Sequence, residues 1–217
     1  MERTSLSVIV PVLNRPDLLW RFYSGLPKQS GIHELIFVDN GSDAATKAML
    51  ERIKSGDSAV SVVTNEANLG FAKANNQGYA ASVGSVVCFT QTDVEVRDDL
   101  GGIAPTLQSD ILYGPDHIGY NTGWNTFGPV IFPYLVGWMV LCTRPTWERL
   151  GGWDERYFPA DMEDIDLSTT ALVRGIKLAR LGLHSVHEHA GQGGWSQLPG
   201  RMEVTIRNKQ KFKEKWT

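Results

Sequence analysis

The first 93 residues contain three apolar runs, each of which leads directly into a cluster of polar residues. The runs cover residues 6–11, 35–38 and 86–89, and the clusters that follow them cover 14–17, 39–43 and 90–93. A short apolar run bounded by Asp, Asn or Gly predicts a strand that is buried on both faces and opens into a loop. In an open parallel sheet, ligands bind outside the carboxyl ends of the strands, so the acidic residues of these clusters are predicted to gather along one functional edge.

Between these strands, apolar residues recur at helical spacing. Helices are predicted at 16–26, 44–54 and 70–83, and a further strand is predicted at 59–64. In the first helix, Leu18, Leu19 and Phe22 share one face. Strands that alternate with helices predict right-handed βαβ units, and therefore an α/β fold with a mostly parallel central sheet flanked by helices.

The second half of the chain has a different pattern. Residues 113–138 are rich in glycine and aromatic residues and lack helical periodicity, which predicts a long binding loop or lid. A buried strand at 136–143, a short helix at 144–150, a turn at 151–154 and a helix at 163–175 are predicted to follow. The first turn of this last helix is strongly acidic.

Length and composition are those of one globular domain. The chain has 217 residues, of which 42% are hydrophobic and 21% charged, so we expect a single domain with a full-sized core.

Cys88 and Cys142 both lie in apolar runs, which indicates buried thiols rather than a disulfide or a metal cluster, and a reducing, cytoplasmic setting. The N-terminus enters the first strand without a signal-peptide pattern. The longest apolar stretch, 130–142, is interrupted by Pro133 and Gly137 and is too short to span a bilayer, so no transmembrane segment is predicted.

Positive charge is concentrated at the C-terminus. Residues 201–217 contain six Lys or Arg against two Glu, a net charge of +4, so the rest of the chain carries −7 of the total of −3. A basic segment of this kind can contact phosphate, an anionic lipid surface or nucleic acid. A solvated amphipathic helix is the commoner explanation, and it is the one that the sequence favours.

Six short motifs follow one another along the chain. They are SVIVPVLN at 7–14, VDNGS at 38–42, NLGFAKANN at 68–76, TDVEV at 92–96, GGWDE at 151–155 and MEDIDL at 162–167. In this order they resemble a family 2 glycosyltransferase of the GT-A fold, and in particular the rhamnosyltransferase-like members of that family. The resemblance covers residues 5 to about 192. It implies an inverting enzyme that moves a hexosyl or deoxyhexosyl group from a nucleoside-diphosphate sugar to an acceptor hydroxyl.

The resemblance implies that the N-terminal half, 1–98, binds the nucleotide. The residues implied in this role are Pro11, Asn14, Asp39, Asn68, Gly70, Phe71, Asn75 and Thr92. Asp39 would hydrogen-bond the nucleobase, which is compatible with a UDP-, dTDP- or GDP-sugar. At Gly70, a glycine lets the backbone approach the ligand closely, and helix N-terminal amides face anions.

The resemblance also implies a divalent cation, Mn²⁺ or Mg²⁺. Asp93 occupies the last position of the family's DxD signature, whereas Gln91 stands at the first acidic position. One carboxylate together with substrate phosphates and waters can hold such an ion. A histidine after the last core strand would complete the site, either His187 or His189, and we favour His187.

The residues 99–192 correspond to the acceptor and catalytic half of the family. Here Glu163 and Asp164 match the acidic pair at the start of a helix, with Asp164 as the general base, and Gly137 and Trp138 would face the acceptor or the donor sugar. Acidic residues in a first turn are also favoured by the helix macrodipole. On that ground Asp161 and Asp166 are interpreted as capping or solvated charges.

Two other functions were weighed against the transferase. A sugar nucleotidyltransferase needs a Gly-rich phosphate loop after the first strand, and residues 11–14, Pro-Val-Leu-Asn, do not form one. A non-catalytic nucleotide-sugar or glycan-binding module is compatible with Gln91, but it has no need of the Glu163–Asp164 pair. The acceptor, whether a glycan, a lipid-linked sugar, a protein or a nucleic acid, is not specified by the sequence. We expect a small free-standing enzyme that acts with a partner or as a homodimer, with a basic C-terminal segment at 193–217.

Overall fold

The computed structural model describes residues 4–26, 32–115, 118–121, 132–187 and 199–216. Its N-terminal half alternates strands and helices, as the apolar pattern predicts. The elements of this half are β1 (Leu6–Val12), α1 (Pro16–Gly25), β2 (Ile32–Asn40), α2 (Ala44–Gly56), β3 (Val60–Asn65), α3 (Phe71–Ala81) and β4 (Val86–Thr90).

The remaining elements are shorter, apart from the last helix. They are α4 (Leu100–Ile103), a 3₁₀ turn (Ala104–Thr106), β5 (Ile111–Gly114), β6 (Ile118–Asn121), β7 (Phe132–Leu135), β8 (Met139–Thr143), α5 (Arg144–Leu150), α6 (Glu163–Val173), β9 (Lys177–Arg180) and α7 (Arg201–Trp216).

Within the described residues, one large sheet has the strand order β3-β2-β1-β4-β8-β5-β9. Strands β1 to β4 pair in parallel, β8 runs antiparallel to both β4 and β5, and β9 is parallel to β5. Strands β6 and β7 form a separate antiparallel pair. The expected mostly parallel central sheet flanked by helices is confirmed.

The core lies on both faces of this sheet, because side chains alternate along each buried strand. On one face, Val8 and Val10 of β1 belong to a cluster that includes Leu19 of α1 and Leu50 of α2. On the other face, Ile9 of β1 belongs to a cluster built with residues of α3, α5 and α6. Cys88 and Cys142 are buried free thiols, as predicted.

Two of the acidic residues expected at the functional edge also have local structural roles. Asp43 is the N-cap of α2 and accepts a hydrogen bond from the N–H of Thr46 at 2.8 Å. Asp17 lies in the first turn of α1, and its exposed carboxylate pairs with Arg15 at 2.7 Å. Both follow the carboxyl ends of β2 and β1, where the sequence predicts them, but their carboxylates serve local structure.

The second half differs from its prediction in two places. The stretch 113–138 is not entirely loop, since it contains the end of β5, the strands β6 and β7 and the turn before β8. Within this stretch, residues 116–117 and 122–131 lie outside the described residues. The strand predicted from 136 begins only at Met139, because the backbone before it bonds to side chains instead of to a neighbouring strand. The N–H of Gly137 donates to Asp164, and the carbonyl of Trp138 accepts from Thr90 Oγ1. Strand β9 has no counterpart in the prediction.

Helix α7 is packed against the body of the protein, so the expectation of a solvated helix is only partly correct. Asn208 and Phe212 are fully buried, and Phe212 packs with Tyr157 and Met162. Asp166 of α6, interpreted from the sequence as a solvated or capping charge, is 2% exposed and contacts this helix. The C-terminal helix is thus held directly against the helix that begins with Glu163 and Asp164.

Candidate functional site

A cleft of about 550 Å³ opens where the parallel strands end. Pro11 at the end of β1, Asn40 at the end of β2 and the segment 91–93 after β4 form one side of its lining. The lining also includes Asn68 and Phe71, the turn 136–138, the segment 159–165 that leads into α6, His187 and three residues of α7. This position is the one that the polar clusters of the sequence predict.

Glu163 and Asp164 lie side by side in the lining of the cleft. Asp164 accepts two backbone hydrogen bonds, from the N–H of Gly137 at 3.1 Å and from its neighbour Ile165 at 2.8 Å. Oε2 of Glu163 is buried and has no hydrogen-bond partner in the described part of the chain. The pair therefore consists of one carboxyl that two backbone N–H groups hold and one with a buried oxygen that lacks a partner.

Removal from water raises the pKa of both carboxyls. For Glu163, burial and the adjacent charge of Asp164 hold the pKa well above its ordinary value. For Asp164, burial raises the pKa, and the N–H groups of Gly137 and Ile165 oppose this effect without cancelling it. The two groups titrate as a pair, and a carboxyl whose pKa is moved toward neutrality is suited to accept a proton in catalysis.

A sharp turn before α6 places the carboxyl pair in the cleft. Asp161 and Met162 adopt φ angles of +74° and +84°, which non-glycine residues rarely occupy unless the surrounding structure holds them. Nδ2 of Asn208 donates to the carbonyl of Ala160 at 2.7 Å, and Thr205 Oγ1 donates to the carboxylate of Asp161. Helix α7 therefore fixes the turn that starts α6.

If Asp164 is the general base that the resemblance implies, Gly137→Ala should lower kcat by roughly 10²-fold, since displacement of a catalytic group by about 1 Å has this effect. A Cβ at residue 137 would lie 2.9 Å from Cβ of Asp164, which is too close, so the carboxylate would have to move. Steady-state kinetics measures this loss, and nucleotide titration is expected to show unchanged affinity. Gly25→Ala, where a Cβ has open space, is the control; full turnover by Gly137→Ala would show that the contact is unimportant.

Gln91 connects the two sides of the cleft. Its Nε2 donates to the carbonyl of Gly137 at 3.4 Å. The N–H of Gly137 in turn donates to the carboxylate of Asp164. A carboxylate at position 91 would have no proton to donate to that carbonyl. The departure from the acidic signature at this position therefore has a structural consequence, which is a contact between the segment of Asp93 and the turn that holds Asp164.

Asp93 and His187 face each other in the lining of the cleft. Nε2 of His187 lies 3.2 Å from Oδ2 of Asp93, yet it makes no hydrogen bond in the described part of the chain. The ring of Trp138 stacks on His187, with centroids 5.7 Å apart and an interplanar angle of 26°. A buried imidazole nitrogen without a partner beside a buried carboxylate fits a divalent cation, which these two groups could hold together.

The remaining ligands of such a cation would have to come from elsewhere. Among the described residues, no group of three or more His, Cys, Asp or Glu side chains is arranged to hold a metal. A site with one or two protein ligands is usual where substrate phosphates and waters complete the shell. His189, the alternative ligand, lies outside the described residues, as does all of 188–198.

Asp98 fastens the segment that carries His187 to the segment that carries Asp93. Its carboxylate accepts hydrogen bonds from the backbone N–H of His184 at 2.9 Å and of Ser185 at 2.7 Å, and from Ser185 Oγ at 2.5 Å. Glu95 and Val186 add two backbone hydrogen bonds between the same segments. The sequence analysis did not identify Asp98, because its neighbours in the chain are polar residues of the kind found at the surface and no motif includes it.

The Asp98 contacts are expected to make the protein sensitive to acid. Burial acts to raise the pKa of Asp98, but the hydrogen bonds from His184 and Ser185 outweigh it and hold the pKa below its ordinary value. The stabilisation is present at neutral pH and is lost as the pH falls through the folded-state pKa. Urea unfolding of Asp98→Asn should show lower stability than wild type at pH 7 and a smaller difference at pH 3. An equal difference at both pH values would contradict this role.

The predicted nucleotide-binding residues divide into two groups. Pro11, Asn68, Phe71 and Thr92 line the cleft. Asn40, which the sequence reasoning treated as part of a turn, lines it too and organises this wall. Its Nδ2 donates to Oδ1 of Asn68 at 2.9 Å and to the carbonyl of Gly70 at 3.2 Å, and its Oδ1 accepts from the N–H of Leu69 at 2.9 Å.

The other four predicted nucleotide-binding residues do not line the cleft. Asp39 is 1% exposed and accepts from the N–H of Ser42 at 2.8 Å, and Asn14 contacts Ser42 and Asp43. Asn75 is fully buried within α3.

Gly70 has a different reason to be glycine than the one expected. It has a φ of +88°, and a Cβ there would meet Phe158 and Pro159, whose carbonyl accepts the N–H of Phe71. Part of the N-terminus of α3 is therefore covered by the protein's own loop rather than facing an anion.

Helix α7 supplies cleft residues that the sequence reasoning did not assign. Arg201, Thr205 and Lys209 are four residues apart, so they share one face of the helix, and all three line the cleft. Arg201 Nε lies 3.7 Å from Oδ2 of Asp161. The basic composition of the tail and its spacing of four were visible in the sequence, but only the packing shows that this face points into the cleft.

Comparison with known proteins identifies the family of the chain. The model of Glycosyl transferase family 2 matches residues 7–158, well over half of the chain. No curated protein matches it by sequence. No helix in the described part of the chain is both long and apolar enough to cross a membrane.

Solved glycosyltransferase structures share the fold. A mannosyltransferase from Pyrobaculum calidifontis, in complex with GDP-Man and Mn²⁺, has 17% identity and a TM-score of 0.65, with 84% of this chain and 56% of that chain covered. GalNAc-T7 with UDP, GalNAc and Mn²⁺ has 16% identity and a TM-score of 0.68, with 83% and 43% covered. S. aureus TarS in complex with UDP has 16% identity and a TM-score of 0.61, with 82% and 58% covered. The chain thus spans about half the length of these proteins.

Proposed function

Because the chain belongs to glycosyl transferase family 2, we propose that it is an inverting glycosyltransferase that uses a nucleoside-diphosphate sugar and a divalent cation. The observation that carries the proposal is the cleft in which Glu163 and Asp164 share a lining with Asp93 and His187. A proton acceptor and a cation-binding pair are the two chemical functions that transfer from a sugar diphosphate requires.

In the proposed reaction, Asp164 accepts the proton of the acceptor hydroxyl. The acceptor oxygen then forms a bond to the anomeric carbon while the bond from that carbon to the diphosphate oxygen breaks, and the electron pair leaves with the diphosphate. The attack from the opposite side inverts the anomeric configuration. The N–H groups of Gly137 and Ile165 hold the Asp164 carboxylate in place, so its orientation does not depend on the substrate.

Asp93 and His187 would hold Mn²⁺ or Mg²⁺, with Trp138 keeping the imidazole ring in position. When bound, such an ion supplies positive charge that stabilises a leaving diphosphate. The carboxylate of Asp93 suits both ions. The Mn²⁺ in the mannosyltransferase and in GalNAc-T7 supports the proposal.

For the donor, we propose that the nucleoside lies along the wall formed by Pro11, Asn68 and Phe71, within the nucleotide-binding half 1–98. Asp39 and Asn14 would hold the loop after β2 through their contacts with Ser42 and Asp43. The sugar, hexosyl or deoxyhexosyl, would extend toward Gly137, Trp138 and the carboxyl pair of the catalytic half 99–192. The nucleotides bound by the three neighbours, GDP-Man and UDP, support a nucleoside-diphosphate donor.

The proposal is tested by incubating the enzyme with UDP-, dTDP- and GDP-sugars and Mn²⁺, and measuring release of the nucleoside diphosphate with and without candidate glycan acceptors. We expect slow release with water as acceptor for one donor class, and no release by Asp164→Asn. Nucleotide binding without release in any mixture would instead support a binding module.

A further inference from the structure

The outer face of α7 carries apolar and cationic side chains in one stripe. Met202 and Ile206 are 70% and 62% exposed, and Lys209 and Lys213 are exposed beside them. At about 100° per residue, these four side chains lie within roughly 60° of the helix circumference and over roughly 17 Å of its length. These four residues are called the α7 stripe below.

The acidic residues of α7 lie beside the α7 stripe but not within it. Glu203 and Glu214 are roughly 100° around the helix from the centre of the stripe, and Gln210 Nε2 donates to Glu214 at 3.1 Å. The inward face, with Asn208 and Phe212, packs on the body of the protein. The helix therefore has an inward face, an acidic sector and a sector that combines exposed apolar surface with positive charge.

The α7 stripe borders the mouth of the cleft. Lys209 belongs both to the stripe and to the cleft lining, and Arg201 and Thr205, which line the cleft, are next to it on the helix surface. A surface that covered the α7 stripe would therefore lie beside the part of the cleft that Arg201, Thr205 and Lys209 line.

We propose that the α7 stripe docks on an anionic lipid surface, and that the acceptor is presented to the cleft from that surface; the second part rests on the proposed function. The apolar side chains of Met202 and Ile206 would enter the headgroup region, while the two lysines reach lipid phosphates. Each lysine near such a surface contributes favourably to binding. A nucleic acid would pair with the lysines but would offer no apolar environment to Met202 and Ile206.

The distribution of charge favours this single orientation. The segment that contains α7 carries +4, whereas the rest of the chain carries −7. An anionic surface therefore attracts the side of α7 and repels the remainder of the molecule. The cleft mouth, rather than the opposite side, would then face the lipid.

The test is co-sedimentation of the full chain with phosphatidylglycerol–phosphatidylcholine vesicles and with phosphatidylcholine vesicles alone. We expect binding to the anionic vesicles only, and less binding at high salt, because salt screens the charges. Ile206→Ser should weaken vesicle binding roughly ten-fold and Lys213→Gln roughly five-fold. The matched controls Val83→Ser and Lys47→Gln, at exposed positions away from α7, should bind as wild type.

Equal binding to neutral and anionic vesicles, or unchanged binding by both stripe variants, would overturn the docking proposal. Binding to a single-stranded RNA instead of to vesicles would also overturn it. Stabilisation by nucleoside diphosphates is measured on the same samples. If it persists while vesicle binding is absent, the docking proposal fails and the transferase proposal stands; if vesicles bind and no nucleotide does, the transferase proposal fails.

Discussion

Replacing Asp164 by asparagine is expected to lower kcat for sugar transfer by about 10²–10⁴-fold, the usual contribution of a general base. The amide cannot accept the proton of the acceptor hydroxyl at neutral pH. Its single oxygen can keep only one of the two hydrogen bonds from Gly137 and Ile165, so a loss of about 1 kcal/mol in the free energy of unfolding accompanies the change. Nucleotide affinity, measured by titration calorimetry, should stay close to that of wild type.

Glu51→Gln is the control, because it removes one carboxylate charge at an exposed position of α2, outside the cleft lining. It should retain most of the activity. The wild-type rate should rise with pH as the Glu163–Asp164 pair loses a proton, with an apparent pKa above the ordinary range of an aspartate, since burial raises the pKa of both groups. An Asp164→Asn enzyme with near wild-type kcat would remove Asp164 from the mechanism.

Replacing Asp166 by alanine is expected to lower the free energy of unfolding by about 3–5 kcal/mol, the cost of breaking a buried charge network. Asp166 accepts from Tyr157 Oη at 3.0 Å, Trp216 Nε1 at 2.8 Å and Lys215 Nζ at 2.7 Å. The substitution leaves the buried Tyr157 Oη and the half-buried Trp216 Nε1 without this acceptor, and it leaves Lys215 paired with Asp154. Urea unfolding followed by circular dichroism measures the loss.

Asp166→Asn separates the charge from the hydrogen bonds. It keeps an oxygen for Tyr157 and Trp216, so it should cost less than alanine. Because Asp166 holds Lys215 and Trp216 of α7, we also expect faster proteolysis within α7 in the alanine variant. A loss below about 1 kcal/mol for Asp166→Ala would show that the network does not hold α7 in place.

The sheet could be predicted from the sequence because its signal is local. Each of the first strands is a continuous apolar run that ends in polar residues, and burial on both faces leaves no other arrangement for such runs. Two helices were also predicted closely, with the start of α2 at Ala44 and both bounds of α5, Arg144–Leu150. Strand β9 was missed because the sequence Lys-Leu-Ala-Arg has neither an apolar run nor clear alternation; it is a strand only because it pairs with β5.

The site could be predicted only as far as residue types and strand ends allow. The pattern, with the family resemblance, pointed to Glu163, Asp164, Asp93 and His187, and the cleft contains all four. The roles of Gln91, Asn40 and Asp98 depend on contacts between segments that are far apart in the chain. No local pattern distinguishes a polar side chain that bridges two segments from one that faces water.

Asp166 and α7 illustrate the same limit for burial. Three acidic residues lie in the first turn of α6, and the macrodipole gives each of them the same local explanation. Their environments differ because α7 covers Asp166 and leaves Glu163 and Asp164 toward the cleft. That difference is a property of tertiary packing, so it could not be read from the spacing of the charges.

The most direct test of the central claim is thermal stabilisation of the wild type and of Asp93→Asn by UDP, dTDP, GDP, CDP and ADP, each with Mn²⁺, Mg²⁺ or EDTA. A ligand at about 100 times its Kd that binds only the folded state adds about 2.7 kcal/mol. We predict that one or two diphosphates stabilise the wild type in Mn²⁺, and that EDTA or Asp93→Asn removes most of the effect. Stabilisation by no diphosphate under any condition would contradict the assignment of this cleft as a nucleotide-sugar site.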